Sequence, residues 1–402
     1  MELSWSEKTI VVLVIILAAV ALSSFYLGSI KSIFAGQTIT FSNNNLAAAS
    51  IVVPEYVLPQ KLSNPPQVVK AVYVTGYSAG SKGYLNYLTN LFKTTQINAV
   101  VVDIKGSSGY VSYASGAPDV KKYNLYNGAV KDIDALVNFF HSQNIYVIGR
   151  IAVFEDPVYS KARPELAIYN KNETTDLSKP ILWQDNNKLS WLDPASKDVW
   201  NYDISLAKDA FGHGFDEVNF DYVRFPSDGK TGNMDFPVWD EKTPMAGVIK
   251  SFFEYTRQQL AGQKISVDLF GQTTSNKDDM GIGQLLENAF ENFDYISPMV
   301  YPSHYINGFL GFKNPADHPY EVIKYAMDSA LTRENNVPAQ VTIPLAKFRP
   351  WLQDFNMGAV YTADMVGQEI KATQDSLGDS YSGFMLWNPS NIYTQGAILK
   401  PN

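Results

Sequence analysis

Eight short apolar runs recur along the chain, each separated from the next by a stretch with helical spacing, and this alternation constrains the fold more than any other feature. The runs are Val69–Tyr77, Ala99–Lys105, Ile145–Phe154, Glu217–Phe225, Ile265–Phe270, Tyr295–Tyr301, one within Val341–Gln353, and Gly383–Asn388. Helical candidates between them are Tyr84–Thr94, Val130–Gln143, Asp198–Phe211, Met245–Leu260, Ile282–Asn292, Pro319–Arg333 and Met365–Ser376. Strands apolar on both faces belong to parallel sheets covered by helices. Eight of them predict an α/β fold of the (β/α)8 TIM-barrel class. A doubly wound open sheet is the alternative. Pro344 and Pro350 blur the seventh strand, because proline cannot donate to a ladder.

Ahead of this pattern, Ile10 to Ile30 is almost unbroken apolar sequence, interrupted only by Ser23 and Ser24. Roughly 20 such residues cross a bilayer, whereas a cleaved signal peptide has an apolar core of about 7–15 residues behind a positive start. Here the start carries Glu2 and Glu7 beside Lys8. The expected organisation is a tail over 1–9, a transmembrane anchor over 10–30, a polar linker over 31–67 and the barrel over 68–402. Such an anchor places the barrel outside the cytoplasm on a single-pass membrane protein, or in the medium if the segment is cleaved.

Composition removes several functions. The formal net charge is −8 with no Lys/Arg-rich run, so nucleic acid is not an expected partner. The absence of cysteine excludes disulfides, thiolate metal sites and a cysteine nucleophile. No His-Glu-x-x-His, phosphate loop or dinucleotide fingerprint occurs, so neither metal nor cofactor is expected, and Asp278-Asp279 reads as a solvated loop.

In a (β/α)8 barrel the active site lies at the C-terminal ends of the strands. Those ends carry Asp103 and Lys105 on strand 2, and Arg150 on strand 3 with Glu155 and Asp156 beyond it. Strand 4 carries Asn219, Asp221 and Arg224, and strand 5 carries Asp268. Strand 6 offers Tyr301 and then His304, strand 7 Arg349, Trp351 and Gln353, and strand 8 Trp387 and Asn388. Strand parity puts Asn219 and Asp221 on one face, opposite Val218, Phe220 and Tyr222, and puts Ser266 with Asp268. Two carboxylates on neighbouring strands would then point into one cleft. Glycoside hydrolysis needs such a pair, one to protonate the leaving oxygen and one to attack the anomeric carbon or activate water. Simpler roles are an Asp103–Lys105 ion pair, a counter-charge for Arg150 in the barrel floor and a loop position for His304.

The segments Tyr73-Val74-Thr75-Gly76-Tyr77-Ser78-Ala79-Gly80, Phe220-Asp221-Tyr222-Val223-Arg224-Phe225-Pro226, Tyr295-Ile296-Ser297-Pro298-Met299-Val300-Tyr301-Pro302-Ser303-His304-Tyr305 and Leu386-Trp387-Asn388-Pro389-Ser390-Asn391 carry a family resemblance. From about Lys70 to Tyr393 the chain resembles the bacterial putative glycosyl hydrolase domain family, a group of (β/α)8 proteins long carried as a domain of unknown function. That family is distantly similar to α-amylase and α-galactosidase-type barrels, whose nucleophilic aspartate at the end of strand 4 maps onto Asp221. Their acid lies on strand 5 or 6, which implies Asp268, although glutamate is commoner there in amylase-type barrels. With the carbohydrate substrate that the resemblance implies, the strand ends offer Asp103, Lys105, Arg150, Asn219, Arg224, Tyr301, His304, Arg349, Gln353 and Asn388 to hold it, between stacking walls of Trp351 and Trp387.

Two rival readings remain at this stage. Gly76-Tyr77-Ser78-Ala79-Gly80 fits the Gly-x-Ser-x-Gly nucleophile elbow, with Ser78 as nucleophile and His304 as base. A membrane-tethered, non-catalytic carbohydrate-binding barrel would keep the aromatic cleft, with Trp191 a further candidate wall.

Overall fold

The computed structural model describes residues 59–338 and 344–400, so the expected anchor and most of the linker lie outside the described residues. Among the described residues, no helix is long and apolar enough to cross a membrane. The strands are β1 (Val69–Val74), β2 (Ala99–Lys105), β3 (Tyr146–Ala152), β4 (Glu217–Asp221), β5 (Ile265–Phe270), β6 (Tyr295–Met299), β7 in two pieces (Lys347–Phe348 and Trp351–Gln353) and β8 (Gly383–Trp387). Neighbours pair in parallel in that order, β8 returns to β1, and Trp351 against Met299 joins β7 to β6. The sheet is a closed eight-stranded barrel, and the open-sheet alternative is excluded. Pro350 falls between the two pieces of β7, where no ladder bond is asked of it.

Alternation of side chains divides the barrel into two environments. Outward residues such as Val72, Val100, Val147, Val218, Phe220 and Val267 join the main core beneath the helices. Inward residues Ala71, Tyr73, Val101, Ile148, Trp351 and Met385 form a separate, smaller apolar cluster. On the β4–β6 side the inward positions are polar instead: Glu217, Asn219, Ser266, Asp268 and Ser297 are all fully buried. Low in this column, buried Arg349 pairs with Glu217 and lies 4.1 Å over the Tyr295 ring, while Ser266 Oγ donates to Glu217 at 2.6 Å. The pair fills the barrel interior at the start of β4, one full strand length from the functional end.

The outer layer contains helices Lys82–Thr94, Ile133–His141, Lys197–Gly212, Met245–Gln259, Pro319–Asn335 and Ala363–Leu377. Starts are set by side-chain caps: Asp132 accepts the Ala135 N–H at 2.9 Å, and Thr362 that of Met365 at 3.3 Å. Such a cap contributes roughly 0.5–2 kcal/mol. The helix expected over Ile282–Asn292 does not form. Its apolar spacing is helical, but Gly283 takes φ +83° and a Cβ there would meet the Met245 carbonyl at 2.8 Å, leaving only a 3-10 turn at Leu286–Ala289. Residues within the expected linker also pack on the barrel: Leu62 N–H donates to Asp216 at 2.6 Å, and Lys61 lies 4.5 Å from the Phe211 ring.

Candidate active site

The cleft opens where the strands end, with a volume of about 380 Å³. Arg150, Asp221, Arg224, Asp268, Tyr301, His304, Trp351 and Trp387 line it, Arg224 reaching it from beyond the end of β4, where strand parity no longer applies. Asp221 closes β4. Its Oδ2 accepts bonds from Arg150 at 2.5 and 3.1 Å, and its Oδ1 accepts the Tyr222 N–H at 2.6 Å. The other arm of Arg150 donates to Asp103 at 2.7 Å, and Asp103 also accepts the Tyr73 hydroxyl at 2.5 Å. Arg150 is therefore shared by two carboxylates.

Asp268 sits in a different environment. The β4–β5 ladder pairs Asn219 with Ser266 and Phe220 with Val267, so the next step along both strands brings Asp221 beside Asp268. Asp268 is fully buried; Asn219 Nδ2 donates to its Oδ1 at 2.8 Å, while Oδ2 has no hydrogen-bond partner among the described residues. The nearby Trp351 indole favours its charged form without making a bond of normal geometry. Burial first, and the negative charge of Asp221 second, push the Asp268 carboxyl well above the usual carboxylate range. A carboxyl raised in this way beside an arginine-bound carboxylate is an arrangement that can pair a proton donor with a nucleophile.

Other expected residues stand elsewhere. Asp103 and Asn219 lie behind the cleft, holding Arg150 and Asp268. Lys105 leaves the lumen: the β2–β3 register shifts between Asp103 and Lys105, so Lys105 turns outward and lies 2.8 Å from both Asp156 and Asp203, the latter on helix Lys197–Gly212. It makes no ion pair with Asp103. Arg349 is the floor residue described above. Gln353 is buried and accepts the Ser303 hydroxyl at 2.8 Å, and Asn388 donates to the Asp354 and Ile392 carbonyls, so both tie loops together instead of facing the cleft. Trp191 is buried, and its indole donates to Asp185 at 3.0 Å.

Tyr222 departs from strand parity. β4 stops at Asp221, and Tyr222 takes φ +53°, which turns its ring into the cleft beside Asp221. A left-handed tyrosine costs about 1–3 kcal/mol. Nothing in the residue type announces it. Gln272 and Gln284 also line the cleft and were not among the expected residues. Asp278 and Asp279 accept the Met280 and Gly281 N–H groups at 3.0 Å, as turn-forming loop residues do.

The elbow reading of Ser78 fails on geometry. Its hydroxyl accepts a bond from Thr75 at 3.0 Å, while the four histidines are engaged elsewhere: His141 with Asp216, His213 with Asp134, His304 with Ser303, and His318 stacked on Phe312. Among the described residues no histidine bonds to Ser78.

Similarity to known proteins agrees with this architecture. A hypothetical protein from Ruminiclostridium thermocellum is 40% identical over 49% of this chain and 96% of its own, with a TM-score of 0.44. The glycoside hydrolase domain of PgaB from Bordetella bronchiseptica is 12% identical and superposes over 83% of this chain and 100% of its own, with a TM-score of 0.54. α-L-Fucosidase isoenzyme 2 from Paenibacillus thiaminolyticus is 12% identical over 82% and 48% of the two chains, with a TM-score of 0.51. At that identity the likeness is one of fold. No match is found among curated proteins. The family model described as "Putative glycosyl hydrolase domain" matches residues 71–393, nearly the whole barrel, and the chain belongs to that family.

Proposed function

We propose that this barrel hydrolyses a glycosidic bond with Asp221 as nucleophile and Asp268 as acid and base. The observation that carries the reading is the contrast between the two adjacent carboxyls, one bound by Arg150 and one buried with a raised pKa. Asp221 attacks the anomeric carbon while Asp268 gives its proton to the departing glycosidic oxygen. A glycosyl ester on Asp221 results, and water then attacks it as Asp268 takes back a proton. Neighbouring parallel strands lie about 4.8 Å apart, which favours the retaining arrangement of about 5–5.5 Å over the wider inverting one. Trp387, Tyr301 and Trp351 offer ring faces and edges to the sugar. The natural substrate on this reading is an extracellular or cell-surface polysaccharide, with the 10–30 segment holding the barrel at the membrane.

The test is release of reducing ends from a panel of cell-wall and exopolysaccharide glycans by the detergent-solubilised full chain, beside Asp221→Asn and Asp268→Asn with folding checked. Release that collapses in both variants supports the pair. Release that persists in either removes that residue from the mechanism, and unchanged binding without any release supports a non-catalytic carbohydrate-binding barrel. Alkaline extraction of membranes tests the anchor; a chain released into the wash is not spanning the bilayer.

A further inference from the structure

Arg224 lines the cleft, yet it has no role in the mechanism above. The residue is 8% exposed, and its guanidinium lies 4.7 Å over Trp191, 4.8 Å over Phe270 and 5.5 Å over Tyr222. Only Nη1 is used, donating to the Phe225 carbonyl at 3.0 Å and the Ser227 hydroxyl at 3.2 Å. Among the described residues no carboxylate lies within ion-pair distance of it, and Nε and Nη2 have no acceptor. Arg150, the other arginine of the cleft, is by contrast bound to two carboxylates. An arginine buried at a cleft wall without a counter-ion is costly to the fold. That cost is offset when a ligand supplies the anion.

We propose that Arg224 recognises a carboxylate on the sugar, making the substrate an acidic, uronate-bearing glycan; this rests on the glycoside hydrolase reading. The guanidinium fork matches a carboxylate with two parallel donors, and three rings fix its plane before substrate arrives. Glu155 supports the same assignment. It follows β3, pairs through its backbone with Trp191, is 4% exposed and makes no side-chain hydrogen bond among the described residues. It feels Asp185, Arg224, Asp221 and Arg150 in that order, and burial first, with Asp185 second, pushes its carboxyl up to about 8. Raised in this way beside Arg224, it bears less negative charge near neutral pH to repel an anion than an ordinary carboxylate would.

The experiment compares kcat/KM of the full chain on uronate-containing polysaccharides and on the same polymers after carboxyl reduction to neutral sugars. Wild type should prefer the acidic form by about 10- to 100-fold, the range of one charge-assisted bond pair. Arg224→Gln should bring that preference close to parity, with the larger loss falling on the acidic polymer, and Arg224→Lys should restore part of it. Equal losses on both polymers, or a wild-type preference for the neutral form, overturn the proposal. Should Arg224→Gln fail to fold, competition on wild type decides: glucuronate must inhibit more strongly than glucose, and equal inhibition overturns it. Should neither polymer be cleaved, calorimetric binding of acidic oligosaccharides separates the two readings. Arg224-dependent binding supports anion recognition while ending the hydrolytic assignment, and binding indifferent to Arg224 refutes the proposal itself.

Discussion

Replacing Lys105 by methionine tests the outward turn of β2, because it removes a charge from a fully buried site while leaving its volume nearly unchanged. The ammonium lies 2.8 Å from Asp156 and 2.8 Å from Asp203 and 4.7 Å from the Tyr202 ring, and all three ionic side chains are fully buried. Burial opposes its charge, but the two aspartates outweigh burial and hold its pKa above the ordinary value. Burial already pushes Asp203 up to about 7 against the pull of the lysine. Lys105→Met leaves two carboxylates without their cation, a change that costs about 3–5 kcal/mol at pH 7. Against a typical margin of about 5–15 kcal/mol, that is a large fraction of the stability. The pH dependence has a definite sign. A carboxyl whose folded pKa is raised binds protons more readily in the folded state, so its penalty is absent below the unfolded pKa and grows as pH rises towards the folded one. Going from pH 7 to pH 5 should therefore raise the variant's own stability by up to about 2.7 kcal/mol at Asp203. Urea titrations of both proteins at the two pH values measure this directly. A loss under about 1 kcal/mol at pH 7, or a loss that grows on acidification, refutes the reasoning. Partial rescue by adding Asp203→Asn would identify the stranded charge as the cause.

Further predictions concern the cleft. Asp268→Asn should make stability fall less steeply than wild type as pH rises above about 4, since the wild-type carboxyl keeps its proton in a fully buried site while the unfolded chain gives that proton up; thermal melts across pH 4–8 report it. Asn219→Ala removes a donor that favours ionised Asp268, so the alkaline limb of the pH–rate profile should move to higher pH, and an unmoved limb would dissociate Asp268 from the proton-transfer step. Tyr222→Gly should be more stable than Tyr222→Ala by about 1 kcal/mol, because glycine alone accepts φ +53° without strain; equal melting temperatures would contradict the strain. Arg349→Met should cost about 3–5 kcal/mol by stranding Glu217, yet leave KM of the folded protein unchanged because the pair is at the floor.

The period of the sequence carried the barrel and placed Asp221 and Asp268 at its cleft. Inward and outward faces of β4 and β5 follow from a two-residue repeat, so Asp221 and Asp268 were legible as neighbours before any coordinates, and so was the aromatic wall at the ends of β6 to β8. Three features were set only by tertiary contacts. The bulge between Asp103 and Lys105 reversed the direction of one lysine, and a bulge leaves no residue-type signature here. Gly283, pressed against the Met245 carbonyl, broke a helix that its apolar spacing had favoured. Tyr222 was forced into a left-handed conformation that glycine or asparagine would have announced. Local pattern fixes which face a side chain takes, since alternation is a property of each strand alone. Which charges are satisfied is decided across strands, and only the closed barrel could bind Arg150 to two carboxylates while leaving Arg224 without one.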